Sequence, residues 1–393
     1  MMSLMSFSLY IHIPFCMSKC AYCDFASWSG QEKLWADYVC RLKDEISVWQ
    51  KSGHIGGRSI ATLFIGGGTP SILPGEMIAE IMAAARELAP FEENAEITIE
   101  ANPGTLTAEK LAHWKNAGIN RISFGAQSFD DGLLRTLGRI HTADEIRQAV
   151  SMAREAGFKN INLDLMYALP GQTPSMWQDT LAAAIALGVP HISAYSLIVE
   201  EGTPMARRVE SGAVSLPDED AVNAMQRCAV DIFKSAGLHR YEISNYARKG
   251  FESRHNLTYW RRGDYLGLGC AAHSMLNGFR FANPAALDEY MSAARVHAEG
   301  GLSAFLHTNH YQDITPLGRQ DAMEETLMLA TRTAEGLDLA AWQRDFGCDF
   351  VSENTRTLRQ LADAGLIRME GNRLSLTTRG MEVQNAVVLA LMD

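Results

Sequence analysis

Three cysteines lie close together near the beginning of the chain, with the spacing Cys16-x-x-x-Cys20-x-x-Cys23. Three thiolates on one loop can bind three irons of a [4Fe–4S] cluster and leave the fourth iron open to a substrate atom. A structural zinc site would instead need four closed ligands, usually in two well-separated pairs. By residue type, Asp24 and His12 could complete a zinc site. Free thiols without a metal are a third alternative. The spacing favours the iron–sulfur cluster.

A glycine-rich turn, Gly66-Gly67-Gly68-Thr69-Pro70, lies farther along the chain. Glycines allow a ligand to approach the backbone closely, and exposed carbonyl groups can accept hydrogen bonds from an ammonium group. A plain tight turn is the simpler interpretation, and a phosphate loop is another. The phosphate loop is disfavoured because neither GxxxxGK followed by Ser or Thr nor GxGxxG is present. The glycines alone leave the choice between a ligand site and a turn open.

Short apolar segments alternate with amphipathic ones along the first half of the chain. The predicted strands are rich in Ile, Leu, Phe or Tyr: Ser8–Ile13, Ala61–Ile65, Glu96–Glu100, Arg121–Gly125, Asn160–Met166 and His191–Leu197. Several of the predicted helices end at Gly or Pro: Gln31–Lys51, Pro74–Ala89, Thr107–Ala117, Thr142–Ala156 and Pro174–Leu187. Six such β-α units predict an α/β fold with a parallel sheet, either open or curled into a partial (β/α)6 barrel.

Polar side chains recur near the ends of these predicted strands. Glu100, Gln127 and Asp164 stand at or close to strand ends, and Arg139 lies just beyond the following helix. The carboxyl ends of parallel strands meet at one edge of the sheet, where α/β proteins bind ligands. Each residue alone could be a surface residue or a helix cap. Together they predict one polar mouth.

The pattern changes after the sixth unit. Residues 240–283 are rich in predicted loops and carry aromatic and basic residues, and the chain looks helical from about residue 285. Near the end, a helix at Asn354–Ala364 precedes a strand pair at Leu366–Met369 and Arg373–Leu376, and a last helix begins near Thr378. This order is typical of a winged-helix-like module. We therefore divide the chain into residues 1–238, a loop-rich segment 239–285 and a C-terminal domain 286–393.

Composition limits the classes of function. The 393 residues carry a net charge of −11, and nucleic-acid binding needs clustered Lys and Arg, so we expect no nucleic-acid partner. Seven cysteines, an odd number with three clustered, favour metal ligands in a reducing compartment over disulfides. No long apolar stretch predicts a transmembrane segment, and the N-terminus lacks the pattern of a signal peptide. We expect a cytoplasmic protein.

The cysteine triplet, with Tyr22 directly before Cys23, resembles the radical S-adenosylmethionine superfamily. The resemblance implies that the cluster's open iron holds S-adenosylmethionine. It also implies that the glycine turn (Gly67, Gly68 and Thr69) holds the methionine amino group. The strand-end residues are similar to the cofactor shell of the oxygen-independent coproporphyrinogen oxidase group. The residues that this second resemblance assigns to the cofactor are Tyr10, Glu100 (a ribose hydroxyl or the amine), Arg139 (a carboxylate), Gln127 and Asp164.

The chain departs from the oxidases of that group at two places. Their cysteine motif continues as CxxxCxxCxC, whereas Phe25 stands here at the fourth cysteine, and only fifteen residues precede Cys16. The segment from His255 to Trp260 contains HNxxYW, which resembles the HemW family of haem chaperones. A neutral imidazole can be an axial ligand to haem iron, so the resemblance implies His255 as a haem ligand. Without it, His255 would be interpreted as a loop histidine beside aromatic residues, and His273 is a weaker second candidate.

These patterns predict a partial (β/α)6 radical S-adenosylmethionine barrel followed by a helical, winged-helix-like region. The resemblance implies a haem chaperone without coproporphyrinogen oxidase activity, with a [4Fe–4S] cluster, S-adenosylmethionine and haem as bound groups. The alternative is an oxygen-independent coproporphyrinogen III dehydrogenase that generates a 5′-deoxyadenosyl radical. A structural iron–sulfur protein is a third hypothesis. The expected partners are haem, apo-haem acceptor proteins and, as a candidate, a second copy of the chain.

Overall fold

The computed structural model describes residues 6–296 and 300–392. Its strands are numbered here in chain order: β1 Ser6–Ile13, β2 Phe15–Cys16, β3 Trp28–Ser29, β4 Ser59–Gly67, β5 Phe91–Ala101, β6 Arg121–Gln127, β7 Asn160–Tyr167, β8 His191–Ser196, β9 His239–Arg240, β10 Asn245–Ala247, β11 Tyr265–Leu268, β12 His273–Leu276, β13 Phe279–Ala282, β14 Gln312–Pro316, β15 Leu337–Asp338, β16 Ile367–Glu370 and β17 Arg373–Leu376. Strands β1 and β4 to β8 correspond to the six predicted strands, with differences of at most five residues at each end.

The α-helices of the described residues are numbered in the same way: α1 Trp35–Ser52, α2 Gly75–Leu88, α3 Ala108–Asn116, α4 Asp131–Leu137, α5 Ala143–Glu155, α6 Pro174–Ala186, α7 Pro204–Glu210, α8 Glu219–Ser235, α9 Arg254–Trp260, α10 Leu287–Ser292, α11 Leu302–Thr308, α12 Arg319–Ala330, α13 Leu339–Phe346, α14 Phe350–Glu353, α15 Thr355–Asp363, α16 Thr378–Glu382 and α17 Gln384–Met392. Helix α5 begins with a capping box in which Thr142 and Glu145 satisfy each other's backbone N–H groups. None of the helices in the described ranges combines the length and the hydropathy that a bilayer crossing requires.

The six predicted strands form the centre of one sheet. Strands β1, β4, β5, β6, β7 and β8 are neighbours in that order, and every adjacent pair is parallel. At least one helix connects each strand to the next, so the carboxyl ends of all six lie at the same edge. The α/β prediction of six β-α units in a partial barrel is confirmed.

The sheet is larger than the sequence predicted. Strand β11 pairs in parallel with β1, and β12, β13 and β14 extend that edge in antiparallel fashion. Strands β10 and β9 extend the other edge beyond β8. The segment 239–285, predicted as loop-rich, therefore contains five short strands and helix α9. The domain boundaries themselves stay a prediction.

The parallel strands are covered on both faces. On β1, Phe7 and Leu9 are fully buried in the main hydrophobic core. The alternate residues, including Ser8, point to the opposite face. There the hydroxyl groups of Ser8 and Thr258 are 2.8 Å apart, which brings helix α9 against the inner face of the sheet. This contact sets the position of the HNxxYW segment.

The C-terminal region has a core of its own. Strands β15, β17 and β16 form a separate antiparallel sheet in that order, and the helices around it enclose a second apolar cluster that includes Trp342, Leu358 and Leu374. The predicted helix, the strand pair and the last helix are present at α15, β16–β17 and α16. Strand β15 is an additional element. The winged-helix-like prediction is confirmed.

Candidate functional site

The cysteine loop is fixed at both sides. Strands β2 and β3 pair with each other, which closes the loop that carries the cysteines. At the middle of the loop, the Ala21 N–H donates to the carbonyl of Leu137 (3.0 Å), and the Met205 N–H donates to the carbonyl of Ala21 (2.8 Å). The loop is therefore attached to the end of α4 and to α7, and its three thiols stand half-buried at the carboxyl edge of the sheet.

In this arrangement, the three thiols do not all lie within reach of a single small metal ion. Tetrahedral zinc with Zn–S bonds near 2.3 Å brings its sulfurs to about 3.8 Å from one another. Within the described residues, only Glu76, Glu109 and His113 have three potential ligand atoms that all lie within 4.8 Å of one another. At least two of the three Sγ atoms of the triplet therefore lie more than 4.8 Å apart. A cubane binds each thiolate at a different iron, so it accommodates this wider spacing.

The glycine turn at the end of β4 has no room for side chains. Gly67 adopts a φ of +112°, and a Cβ there would lie 2.5 Å from the ring of His12. A Cβ at Gly68 would lie 2.6 Å from the carbonyl oxygen of Phe15, the residue before the first cysteine. The turn packs directly against the cysteine loop, and the Thr69 hydroxyl is 3.5 Å from the Sγ of Cys16. Gly68 is therefore required by the close approach of two backbones, and Gly67 by its left-handed φ and the ring of His12.

Arg139 connects the cysteine loop to the fourth parallel strand. Its Nη2 donates to the carbonyl of Gly125 (2.6 Å), and its Nη1 lies 3.4 Å from the Sγ of Cys20. Its Nε is buried and has no protein partner among the described residues. Gln127 ends β6 close by with a φ of 64°, a strained conformation for a residue other than glycine. A carboxylate in the cavity would satisfy the unpaired guanidinium N–H.

Two carboxyl groups line the same edge of the sheet. Glu100 accepts a hydrogen bond from the Gly67 N–H (3.0 Å), and Asp164 accepts from Ser123 (3.0 Å) and Asn162 (2.7 Å). Burial raises the pKa of Glu100 to about 8, and the negative charge of Asp164 contributes to the shift. Burial also raises the pKa of Asp164. A polar or cationic ligand bound beside these two carboxyl groups would therefore change their pKa values.

Most of the predicted site residues meet in one cavity of about 380 Å³, here called the cysteine cavity. Those that line it are Cys16, Cys20, Tyr22, Cys23, Gly67, Gly68, Thr69, Glu100, Gln127, Arg139 and Asp164. The sequence interpretation missed Asn102, Ser123 and Tyr195, which also line it. Asn102 directly follows β5 and Tyr195 is close to the end of β8, so the strand-end argument could have found both.

Tyr10 and His255 lie outside the cysteine cavity. Tyr10 lines a second cavity of about 580 Å³, here called the aromatic cavity, which shares Phe25, Gly67 and Glu100 with the first. The Tyr10 hydroxyl lies 2.9 Å from the Nδ1 of His12. A direct contact between Tyr10 and a ligand in the cysteine cavity is therefore not supported by this arrangement.

His255 is buried behind the wall of the aromatic cavity. Its Nδ1 is 2.7 Å from the Thr62 hydroxyl, and its Nε2 is 2.8 Å from the Tyr259 hydroxyl. Its ring stacks on Phe64 at 5.1 Å. Burial and the positive charge of Arg121 lower the pKa of His255 to about 3. His255 cannot bind haem iron in this conformation because neither ring nitrogen is free, so that role stays a prediction that would require Tyr259 to move.

Comparison with known proteins identifies the family. The family model of the radical SAM superfamily matches residues 10–184, and that of the HemN C-terminal domain matches residues 317–383. The chain is 36% identical over 387 residues to the protein named Heme chaperone HemW of Bacillus subtilis. This alignment covers 98% of this chain and 99% of that protein. The chain belongs to the HemW family of radical S-adenosylmethionine proteins. The Heme chaperone HemW of Escherichia coli is 42% identical over 274 residues, 70% of this chain and 71% of that protein.

The fold of this HemW family member is that of a solved radical SAM enzyme. Coproporphyrinogen III oxidase (HemN) from Escherichia coli superposes with a TM-score of 0.82 over 98% of this chain and 89% of that chain. The sequence identity is 24%, so this likeness concerns the fold alone. The likeness of the fold agrees with the match of the HemN C-terminal domain model to residues 317–383, which belong to the C-terminal region with its own apolar core.

The cofactors of the HemW family member follow from its superfamily. Radical SAM proteins bind a [4Fe–4S] cluster and S-adenosylmethionine, and the chain carries both as cofactors. The cysteine cavity fits them, because it combines three thiols, glycines without room for a side chain and the buried, unpaired Nε of Arg139. Which side chain holds which group stays a prediction.

The raised pKa of Glu100 predicts a pH dependence of stability. An unfolded glutamate titrates near pH 4.5, whereas folded Glu100 keeps its proton up to about pH 8. This group's contribution to the free energy of unfolding is complete below pH 4.5 and is lost as the pH rises through 8. We expect chemical denaturation of the cluster-loaded protein, without S-adenosylmethionine, to reveal this decline between pH 5 and 8. E100Q, whose amide oxygen can still accept from Gly67, should flatten it, and an identical decline in both proteins would contradict the assignment.

Proposed function

We propose that this chain is a haem chaperone that binds haem and transfers it to apo-haem proteins. The observation that carries the proposal is similarity along the whole chain, 36% over 98% of its length, to a relative named Heme chaperone HemW. That relative is matched over both the sheet and the C-terminal region. Phe25 at the position of the oxidases' fourth cysteine supports the same choice, since its side chain is 62% exposed and offers no metal ligand.

In this proposal, Cys16, Cys20 and Cys23 bind the three protein-ligated irons of the cluster. Bound there, a [4Fe–4S] cluster supplies an open iron that can hold the methionine portion of S-adenosylmethionine. Arg139 would pair with its carboxylate through a charge-assisted hydrogen bond, and Glu100 would accept from a hydroxyl or the amine. The position of Arg139 against Cys20, with Nε unpaired, supports the first of these roles. Gly67, Gly68 and Thr69 would form the backbone wall, and Tyr22, Gln127 and Asp164 the remaining lining.

The proposal includes a location and partners. We expect the protein in the cytoplasm, because all seven cysteines lie in the described ranges and none of them forms a disulfide. Apo-haem proteins are the expected acceptors, and a second copy of the chain stays a candidate partner. The net charge of −11 argues against nucleic acid.

One preparation can distinguish the chaperone from the coproporphyrinogen III dehydrogenase. After anaerobic reconstitution of the cluster, we expect one haem to bind per chain and to move to an apo-haem protein on mixing. Coproporphyrinogen III should remain undecarboxylated in the same sample when S-adenosylmethionine and a reductant are added. Absorbance of the acceptor's haem and chromatography of the porphyrins measure the two outcomes.

Each outcome of this experiment decides between hypotheses. Robust formation of protoporphyrinogen would overturn the chaperone proposal in favour of the dehydrogenase. A cluster-loaded protein that neither binds haem nor decarboxylates the porphyrinogen would leave the structural iron–sulfur protein as the surviving hypothesis. A matched sample that lacks the cluster shows whether transfer depends on it.

A further inference from the structure

A continuous chain of side-chain hydrogen bonds leads from the cysteine cavity into the interior of the barrel. Asp164, on β7, lines the cysteine cavity. Two residues earlier, and so on the same face of that strand, Asn162 donates from Nδ2 to the Oδ1 of Asp164 (2.7 Å). The Oδ1 of Asn162 is 2.6 Å from the Nδ1 of His191, its register partner on β8. The lining of the cavity is thereby bonded to a histidine behind it.

The chain continues from His191 to the beginning of helix α9. The Nε2 of His191 is 2.9 Å from the hydroxyl of Tyr241, which lies between β9 and β10. The same hydroxyl accepts a hydrogen bond from the N–H of Ser253 (3.2 Å). Ser253 is the N-cap residue of α9, and its own hydroxyl accepts from the Asn256 N–H (3.3 Å). Tyr241 therefore holds the residue at which the helix starts.

Tyr241 also contacts the C-terminal region. Its carbonyl accepts from the N–H of Ala334 (2.9 Å), which follows α12 and precedes β15. The next residue, Glu242, forms an isolated β-bridge with Thr333. One tyrosine therefore connects Asp164 of the cysteine cavity to two other elements, the N-terminus of α9 and the segment that follows α12.

The partners allow one direction of hydrogen bonding along the chain. Asn162 presents its amide nitrogen to a carboxyl group, so its oxygen faces His191 and the Nδ1 of that ring must donate. Burial and the positive charge of Arg121 lower the pKa of His191 well below its usual value, so the ring is neutral and its Nε2 can only accept. The Tyr241 hydroxyl must then donate to Nε2, while its oxygen accepts from the Ser253 N–H.

The links of the chain are shielded from water. Asn162 is 1% exposed, and His191 and Ser253 are fully buried. A buried donor or acceptor that loses its partner cannot replace it with solvent, so breaking one link is costly. Movement of the Asp164 carboxylate is therefore easier when the linked side chains move with it.

We infer that His191 is a positioning residue that links S-adenosylmethionine in the cysteine cavity to helix α9. A ligand that engages Asp164 fixes its carboxylate, His191 passes this constraint to Tyr241, and Tyr241 secures the N-cap of α9 and the segment at Ala334. The inference goes beyond the proposed function, because it concerns the S-adenosylmethionine cofactor and requires no haem. Since α9 carries the HNxxYW segment, the cofactor sets how firmly that segment is held.

Hydrogen exchange of cluster-loaded protein tests the link without haem. Saturating S-adenosylmethionine should slow amide exchange in α9 and at residues 330–336 of the wild-type protein by about five- to tenfold. Y241F removes the hydroxyl that joins His191 to Ser253, so the same saturation should slow exchange there by less than about twofold. Y246F is the matched control and should behave as wild type, because Tyr246 is also buried, on β10, but lies outside the chain.

Two substitutions of His191 separate the two ends of the chain. The side-chain nitrogen of asparagine takes the place of Nδ1, so H191N can donate to Asn162 but cannot reach Tyr241. H191N should bind S-adenosylmethionine within about twofold of wild type, yet lose the protection of α9. Glutamine reaches the place of Nε2 and leaves Asn162 without its donor, so H191Q should lose about fivefold in affinity. General destabilisation of the barrel would instead lower affinity and protection together in both variants.

The tautomer of His191 keeps the test valid even if a variant loses its fold, which iron content and the unfolding midpoint would show. Nitrogen chemical shifts of wild-type protein with isotopically labelled histidine should report a neutral His191 ring with its proton on Nδ1. The signal is assigned by its absence from H191N.

Three results would overturn the inference: a proton on the Nε2 of His191, no protection of α9 by S-adenosylmethionine in wild type, or equal protection in wild type and Y241F. In each case haem transfer by the wild-type protein would still support the proposed function. Failure of haem transfer, in turn, would leave the link between S-adenosylmethionine and α9 standing.

Discussion

Replacing Cys20 with alanine is expected to remove the whole iron–sulfur cluster, from about four irons per chain to nearly none. Cys20 stands between the other two ligands on a loop that is closed by the β2–β3 pair and tied to α4 and α7. Loss of one thiolate leaves a second iron without a protein ligand, and two remaining thiolates hold a cubane poorly. Iron analysis and the visible absorbance of anaerobically reconstituted protein measure the loss.

Cys40 provides the matched control for this substitution. It is an exposed cysteine on helix α1, away from the loop. C40A should keep a full complement of iron, whereas C16A and C23A should behave like C20A. A variant without Cys20 that keeps four irons per chain would refute the assignment of the triplet.

The cysteine cavity was predictable because its residues follow a simple rule of α/β folds. The six strands could be found from short apolar segments bounded by Gly and Pro, and parallel strands must end at one edge. Glu100, Gln127 and Asp164 were chosen for their places at or near strand ends, and the structure brings them into one cavity with the cysteines. The depth of burial could not be predicted, since the raised pKa of Glu100 depends on distant residues that exclude water.

The extension of the sheet was missed although a local signal existed. Asn277 and Gly278 connect β12 to β13, and their φ angles of 51° and 78° are both positive, as a type I′ hairpin turn requires. An Asn-Gly pair between two short apolar segments predicts such a hairpin. Pairing of β11 with β1 joins residues more than 250 positions apart and leaves no mark in local sequence.

His255 shows the limit of inference from a motif. In HNxxYW the His and the Tyr are four residues apart, so on helix α9 they share a face and bond to each other. Glu96, on β5, accepts the His255 N–H at 3.0 Å, and Thr62, on β4, is 2.7 Å from the ring. These partners come from other parts of the chain, so the spacing alone could not reveal that the imidazole is fully engaged.

Replacing Gly67 with valine is expected to weaken the binding of S-adenosylmethionine severely. Gly67 has a φ of +112°, which disfavours any side chain, and a Cβ would fall 2.5 Å from His12. The turn must shift, and its shift moves Glu100, whose carboxylate accepts from the Gly67 N–H, away from the cavity. An overpacking cost of about 3 kcal/mol corresponds to a loss of about hundredfold in affinity. Equilibrium dialysis or calorimetry with cluster-loaded protein measures it.

Gly171 separates this effect from the strain of a left-handed residue. It has a φ of +74°, and no heavy atom lies within 4 Å of the position where its Cβ would be. G171V therefore introduces a similar backbone penalty outside the cysteine cavity and should bind S-adenosylmethionine as wild type does. Iron content and the unfolding midpoint of both variants show whether each remains folded with its cluster.

Because the glycine turn contacts the cysteine loop, G67V could lose cluster and ligand together, so G67A, with the smallest side chain, serves as the second variant. Wild-type affinity for S-adenosylmethionine in cluster-loaded G67A would mean that the glycine turn is not a ligand site, and that the methionine amino group is held elsewhere.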